Sequence, residues 1–233
     1  MNKKFKTALL FVIMALILTG VIIWQLFFSE KLNFYIASAG ILVLSMLPFF
    51  VSFELKSISA REITLVASLI ALAVVSRAAF YLIPEVKPIA AVVIASAVCL
   101  GAERGYIVGA FSMFVSNFIF SQGIWTPFQM AAMGLVGFIA GIIFKRSTNK
   151  YLLALYGFLS ASFLYGLIVD ISTIFMSLGD NITLSGVLSI YAAGMPFNLT
   201  FGIATAVFLF FFGEGFIKII QRINTKYNIL KEK

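Results

Sequence analysis

Two ionisable side chains stand inside runs that are otherwise apolar: Arg77 in the run 63–83 and Asp170 in the run 151–177. Charge within a bilayer is costly, so each marks a functional position by default. Arg77 lies about six residues from the end of its run, and Asp170 falls in the corresponding third of its own, so the two share one depth. One reading is that they pair only with each other and neutralise a packing defect. The other is that they line a polar cavity open to one side. Further polar residues at that depth favour the cavity: Asn117, Gln122, Trp125, Thr126, Gln129, and Asn198 two residues after Pro196. The loop Ser121-Gln-Gly-Ile-Trp-Thr-Pro-Phe-Gln-Met130 concentrates them. Gly123 permits a sharp turn, and Pro127 can begin a helix without forfeiting a needed donor. Trp125 reads either as an interfacial anchor or as a flat ring beside the amides Gln122 and Gln129, a combination that suits an organic ligand.

Little other chemistry is available. There is no histidine and one cysteine, Cys99, which excludes the commonest metal ligand and general base, any intramolecular disulfide and any multi-cysteine metal site. No G-x-x-x-x-G-K-[ST] phosphate loop occurs, so ATP hydrolysis is not done here. Asp170 and Asp180 are isolated acids and form no catalytic cluster. No catalytic group, metal or cofactor is expected, and the chain is not read as an enzyme.

The elements that must hold these residues are membrane helices. Of 233 residues, 62% are hydrophobic and 11% charged, too few polar side chains to cover a soluble globule. Apolar runs predict spans at 7–28, 33–53, 63–83, 88–102, 105–121, 127–144, 151–177 and 186–213, most of them at or above the roughly 20 residues that a bilayer core requires. The first is too long for a cleavable leader and lacks a small-x-small site, so it reads as a retained span. The fourth is short, and its free backbone groups require protein or water around it. Eight spans place both termini on one side. With that side cytoplasmic, Lys31 and Lys87 fall outside and Arg77 within a span, while the other fourteen of seventeen basic residues lie inside, as the positive-inside rule demands. The formal net charge of +8 thus reads as topology signal and contact with anionic lipid, not nucleic-acid binding. The basic tail, 217–233, is expected at the inner membrane surface. The domain reading is a two-helix extension at 1–60, a six-helix membrane core at 61–216, and the tail.

Two glycine patterns, Gly105-x-x-x-Gly109 and Gly137-x-x-x-Gly141, predict close helix packing. Ala67-Ser-Leu-Ile-Ala71 gives one helix a smooth face, suited to a neighbouring helix or a separate subunit.

The sequence resembles the substrate-binding S component of energy-coupling factor (ECF) vitamin transporters. The resemblance rests on Ala67-Ser-Leu-Ile-Ala71 leading to Arg77 and Pro84-x-x-Lys87-Pro88; on Leu100-Gly-Ala-Glu-Arg-Gly-Tyr-Ile-Val-Gly109; and on Gln122-Gly-Ile-Trp-Thr-Pro-Phe-Gln-Met130 followed by Gly134-x-x-Gly137-x-x-x-Gly141. It implies an all-α polytopic fold whose six-helix core binds one vitamin from outside. It also implies docking, through Ala67 and Ala71, on a transmembrane coupling subunit driven by two cytoplasmic ATPase subunits. The implied ligand site contains Trp125, Gln129, Tyr165, Asp170 and Asn198. The two additional N-terminal helices resemble the longer subgroup associated with cobalamin uptake. The residues leave the vitamin open among riboflavin, a cobamide and a pterin, and the extra helices tilt the expectation to a cobalamin-like compound. A proton-coupled secondary transporter using Asp170 or Arg77 is the competing reading, but the nested repeats of such proteins are not evident.

Overall fold

A computed structural model of the chain describes residues 59–144, 149–179 and 181–229, together with Gly40, Val43, Met46 and Leu47. The spans expected at 7–28 and 33–53 otherwise lie outside the described residues, as do Asp180 and the bases Lys145 and Arg146. Every regular element among the described residues is helical: α1 (Ala60–Ala79), α2 (Ile89–Leu100), α3 (Ala102–Phe120), α4 (Thr126–Ile143), α5 (Lys150–Leu178) and α6 (Leu184–Tyr227). Four of them, α1, α4, α5 and α6, are long and apolar enough to cross a membrane. The chain is an all-α polytopic membrane protein.

Helix α1 starts where its sequence provides a cap. Ser59 accepts a hydrogen bond from the Glu62 amide at 3.2 Å, which satisfies one of the orphan donors of the first turn. The helix ends at Ala79, four residues before the expected end. The apolar run continues through Phe80-Tyr-Leu-Ile83, but Pro84 disfavours helical backbone in the residue before it, and Leu82 turns outward with 89% of its surface exposed. Apolarity and helicity part company there.

Helix α2 has 12 residues, about 18 Å at 1.5 Å per residue, well short of the roughly 30 Å of a bilayer core. It sits inside the bundle rather than against lipid. Ala90, Val93, Ile94 and Ala97 are fully buried, in a core shared with Leu65 and Leu69 of α1, Val136 of α4, and Phe201 and Ile217 of α6. This is the protein-enclosed short span that its length requires. Gly101, at φ +86°, turns the chain directly from α2 into α3, a backbone conformation that glycine adopts at little cost.

The two glycine patterns meet each other. A Cβ on Gly105 would stand 2.7 Å from the Gly137 carbonyl oxygen, and Cβ atoms on Gly109 and Gly141 would collide with the backbone at Met133 and Ala102. Helices α3 and α4 therefore touch backbone to backbone along a seam, the geometry that small residues permit in membranes. Beside it, Met46 packs against Tyr106, Ala110 and Ala131.

Helices α5 and α6 each contain a π-helical turn, at Ser160–Tyr165 and at Leu209–Gly213. The expected separation of α6 from a basic tail at 216 is not a break in the helix, which continues to Tyr227 and stops at Asn228 in the left-handed conformation. The continuation is held by buried isoleucines and by hydrogen bonds to its carbonyls. Ile217 and Ile220 are buried, Cys99 donates to the Ile217 carbonyl at 3.6 Å, and Arg61 donates to the Tyr227 carbonyl at 3.1 Å.

Replacing Gly137 by Val should destabilise the protein by about 1–3 kcal/mol or more, because backbone on the far side cannot yield. Gly215, with open space around its Cβ position, should accept Ala with no loss. Thermal unfolding in detergent checks both, and equal melting temperatures for the two variants would remove the seam from the account.

Candidate functional site

The site begins with a guanidinium that the bundle has largely enclosed. Arg77, near the end of α1, keeps 8% of its surface exposed. One face of α3 receives it, through residues spaced three and four apart so that they share a side of the helix. Arg77 Nη1 donates to Ser116 Oγ at 2.5 Å and to Asn117 Oδ1 at 2.9 Å. The Met113 sulfur lies at 3.8 Å, and the Phe120 ring centroid is 4.2 Å from Cζ. All four partners are uncharged. An arginine held in this way keeps its charge through hydrogen bonds and ring contact and has donors to spare for something else.

Asn117, 1% exposed, ties this cradle to α4. Its amide donates to Thr126 Oγ1 at 3.1 Å and to Gln129 Oε1 at 2.7 Å. Thr126 in turn donates to Gln122 Oε1 at 2.9 Å and accepts from the Gly123 amide at 3.1 Å. The polar residues of the 121–130 segment therefore form a connected network that ends on Arg77.

A cavity of about 540 Å³ opens beside the guanidinium. This is within the range of roughly 300–1,000 Å³ usual for small-molecule sites. Arg77, Met113 and Gln129 form one wall. Tyr165, Asp170, Thr173 and Ser177 of α5 face them, with Gly194, Phe197, Asn198 and Phe201 of α6. Tyr165 and Phe201 make an aromatic pair, their centroids 5.2 Å apart. Asn198 Nδ2 donates to Asp170 Oδ2 at 2.8 Å. Glu85 and Lys87, from the α1–α2 connection, complete the lining. They are 3.9 Å apart, with Glu85 at φ +56°, a conformation uncommon for a residue with a side chain.

Five residues expected from the sequence thus face one cavity: Arg77, Gln129, Tyr165, Asp170 and Asn198. Three do not line it. Asn117 stands behind Arg77 and Gln129. Gln122 is exposed, accepts from Thr126 and donates to the Phe114 carbonyl of α3 at 2.8 Å. Trp125 is half-buried and folds back over Gly123, where a Cβ would lie 2.5 Å from the indole, so the ring does not present a stacking surface to the cavity. Arg77 and Asp170 do not form an ion pair; each has its own amide partner. Glu85, Lys87, Ser116 and Phe120 were not legible as site residues. For the last two, the signal was the 113/116/117/120 spacing opposite Arg77. Ala67 and Ala71 lie elsewhere, on the exposed face of α1, with Leu65, Val66 and Leu69 buried on its other side. No cluster able to hold a metal occurs among the described residues.

The opposite end of the bundle is predominantly basic. Arg104 pairs with Glu62 at 2.5 Å, and Lys150, Lys218, Arg222 and Lys226 occupy the neighbouring helix ends.

Asn117→Ala should cost about 1–3 kcal/mol, the usual consequence of leaving a buried donor unsatisfied, whereas Gln122→Ala should stay within about 0.5 kcal/mol, as for most surface changes. Melting temperatures of the two variants in one detergent decide it. A silent Asn117→Ala would show that water satisfies the guanidinium.

The family model described as "ECF-type riboflavin transporter, S component" matches residues 57–218, more than two thirds of the 233-residue chain. No curated protein and no solved structure matches.

Proposed function

The chain belongs to the ECF-type riboflavin transporter S component family, and from that premise we propose that its cavity captures riboflavin for import. Membership makes it the substrate-binding membrane subunit of an ECF vitamin transporter, a role without catalysis, and implies association with a membrane coupling subunit and ATPases. The family is named for riboflavin. The cobalamin expectation, drawn from two extra helices, finds no support in that match.

The family match carries the flavin reading, and the cavity supports it. Riboflavin joins a flat tricyclic ring, with two carbonyl acceptors flanking an imide N–H, to a chain of hydroxyls. A 540 Å³ space walled by Tyr165, Phe197, Phe201 and Met113 suits such a ring. Arg77 and Gln129 supply donors on one side, and Asp170 and Asn198 supply acceptors on the other. A corrinoid with its nucleotide tail is several times heavier and fits that volume poorly.

The rest of the role follows the family. Ligand enters from the extracellular end, where the α1–α2, α3–α4 and α5–α6 connections lie, and the positive-inside pattern puts both termini in the cytoplasm. Ala67 and Ala71 dock on the coupling subunit, whose ATPase partners provide the drive.

Purified protein titrated with riboflavin should quench flavin fluorescence saturably, with excess cyanocobalamin leaving the signal unchanged. Displacement by cobalamin would return the ligand to the corrinoid class. In cells, Ala67→Trp with Ala71→Trp should reduce riboflavin uptake at least about tenfold, as expected when an interface contact is blocked, while flavin fluorescence is still quenched by the purified variant as by the parent. Normal uptake would remove the alanine face from the docking role.

A further inference from the structure

Helices α5 and α6 meet at the cavity through a reciprocal arrangement. On α5, Gly166 precedes Asp170 by four residues; on α6, Gly194 precedes Asn198 by four. Residues four apart lie on one face of a helix, so each helix presents a hollow and, one turn later, a polar side chain. The two sets interlock. A Cβ on Gly194 would stand 2.7 Å from Asp170 Oδ2 and 3.1 Å from Oδ1, and a Cβ on Gly166 would stand 2.5 Å from Asn198 Cγ. The carboxylate of α5 occupies the hollow of α6, and the amide of α6 occupies the hollow of α5. Between them runs the 2.8 Å bond from Asn198 Nδ2 to Asp170 Oδ2. Tyr191, one turn before Gly194, donates to the Leu167 carbonyl at 3.4 Å and helps to hold the register.

We propose that Gly166/Asp170 and Gly194/Asn198 form a clasp that fixes Asp170 Oδ1 and Asn198 Oδ1 as an acceptor pair for a hydrogen-bond donor on an uncharged ligand. Both residues line the cavity, and neither of these oxygens accepts another hydrogen bond within the described residues. An ionised carboxylate is acceptor-only, and the internal bond uses the Asn198 amide to orient it, so the face turned to the ligand is rich in acceptors. Arg77, across the cavity, is donor-only. Carbonyl oxygens therefore belong at Arg77 and N–H or O–H groups at the clasp, while Glu85 and Lys87 add one charge of each sign to the lining. Gly166 and Gly194 are positioning residues, and Asp170 and Asn198 make the contact. The inference rests on the flavin reading above for its ligand, whose imide N–H and chain hydroxyls are the two sources of such a donor.

Flavin-fluorescence titration of the full chain tests it. Asp170→Asn should weaken riboflavin binding about tenfold, in line with about 1.4 kcal/mol per factor of ten. Gly194→Ala should weaken it similarly with an unchanged melting temperature, because the added methyl meets the movable end of a side chain and not backbone. The double variant should be no weaker than either single one, as expected for residues acting through one contact. Losses that add, or a fall in melting temperature matching the loss of binding, would make Gly194 a packing residue only and overturn the clasp.

Two analogues locate the donor. Weak binding of 3-methylriboflavin with normal binding of lumiflavin assigns the clasp to the imide N–H, and the reverse assigns it to the chain hydroxyls. Full-strength binding of both overturns the proposal. Failure of the parent protein to bind riboflavin would sink the flavin reading alone. The clasp would then be judged by ligand-free melting of Asp170→Ala, Asn198→Ala and the double variant, whose losses must be non-additive for it to stand.

Discussion

Everything at the cavity depends on how closely α3 and α4 approach. Gly105 and Gly109 on one helix and Gly137 and Gly141 on the other remove the side chains that would hold the backbones apart. In a bilayer there is no hydrophobic force to bring helices together, so van der Waals contact of this kind does that work. The seam sets the register between Asn117 on α3 and Thr126 and Gln129 on α4. It also leaves room for the short α2, which could not face lipid and instead fills the centre of the bundle.

That rigid half presents a cation to a half built differently. Arg77 is enclosed by a hydroxyl, an amide, a thioether and a ring. Breaking a tightly paired buried charge is expensive, and a carboxylate locked onto Arg77 would have to be displaced before any ligand could use its donors. Neutral partners hold the side chain in place and leave its remaining donors uncommitted. Asp170, on the other wall, is likewise engaged by an amide and not by the arginine. Keeping the two charges apart preserves a polarity across the cavity that an ion pair would cancel.

Much of this was legible because membranes penalise misplaced groups heavily. The paired glycine spacing foretold the seam, and the two charges in apolar runs both line the cavity. The short fourth run foretold an enclosed helix. What escaped the sequence was governed by local backbone geometry. Hydropathy could not see that Pro84 ends α1 before its apolar run ends, which lets the connection fold in and bring Glu85 and Lys87 to the lining. Charges between two prolines look like ordinary interfacial residues. Trp125 looked like a ligand platform because aromatic and amide groups cluster around it, but Gly123 offers the indole a bare surface of its own. Ser116 and Phe120 were silent because a serine and a phenylalanine in a membrane helix are unremarkable until an arginine is known to lie opposite.

The π-helical turn at Ser160–Tyr165 gives α5 two independent faces. An α-helix advances about 100° per residue, and a π turn lodges one residue more than the regular winding allows. Leu153 and Gly157, before the turn, pack into the core and against α6, while Tyr165, Asp170 and Thr173, at or after it, face the cavity. The surplus residue turns the second set relative to the first by about one residue's rotation from its facing in a regular helix. Winding the same residues as regular α-helix, with no surplus residue lodged at 160–165, would swing the carboxylate by about 100°, roughly a quarter of the way around the axis. The helix would keep its length and apolarity while its chemistry pointed elsewhere. In this chain the position of one surplus peptide unit, and not only the identity of the side chains, decides where the acid faces.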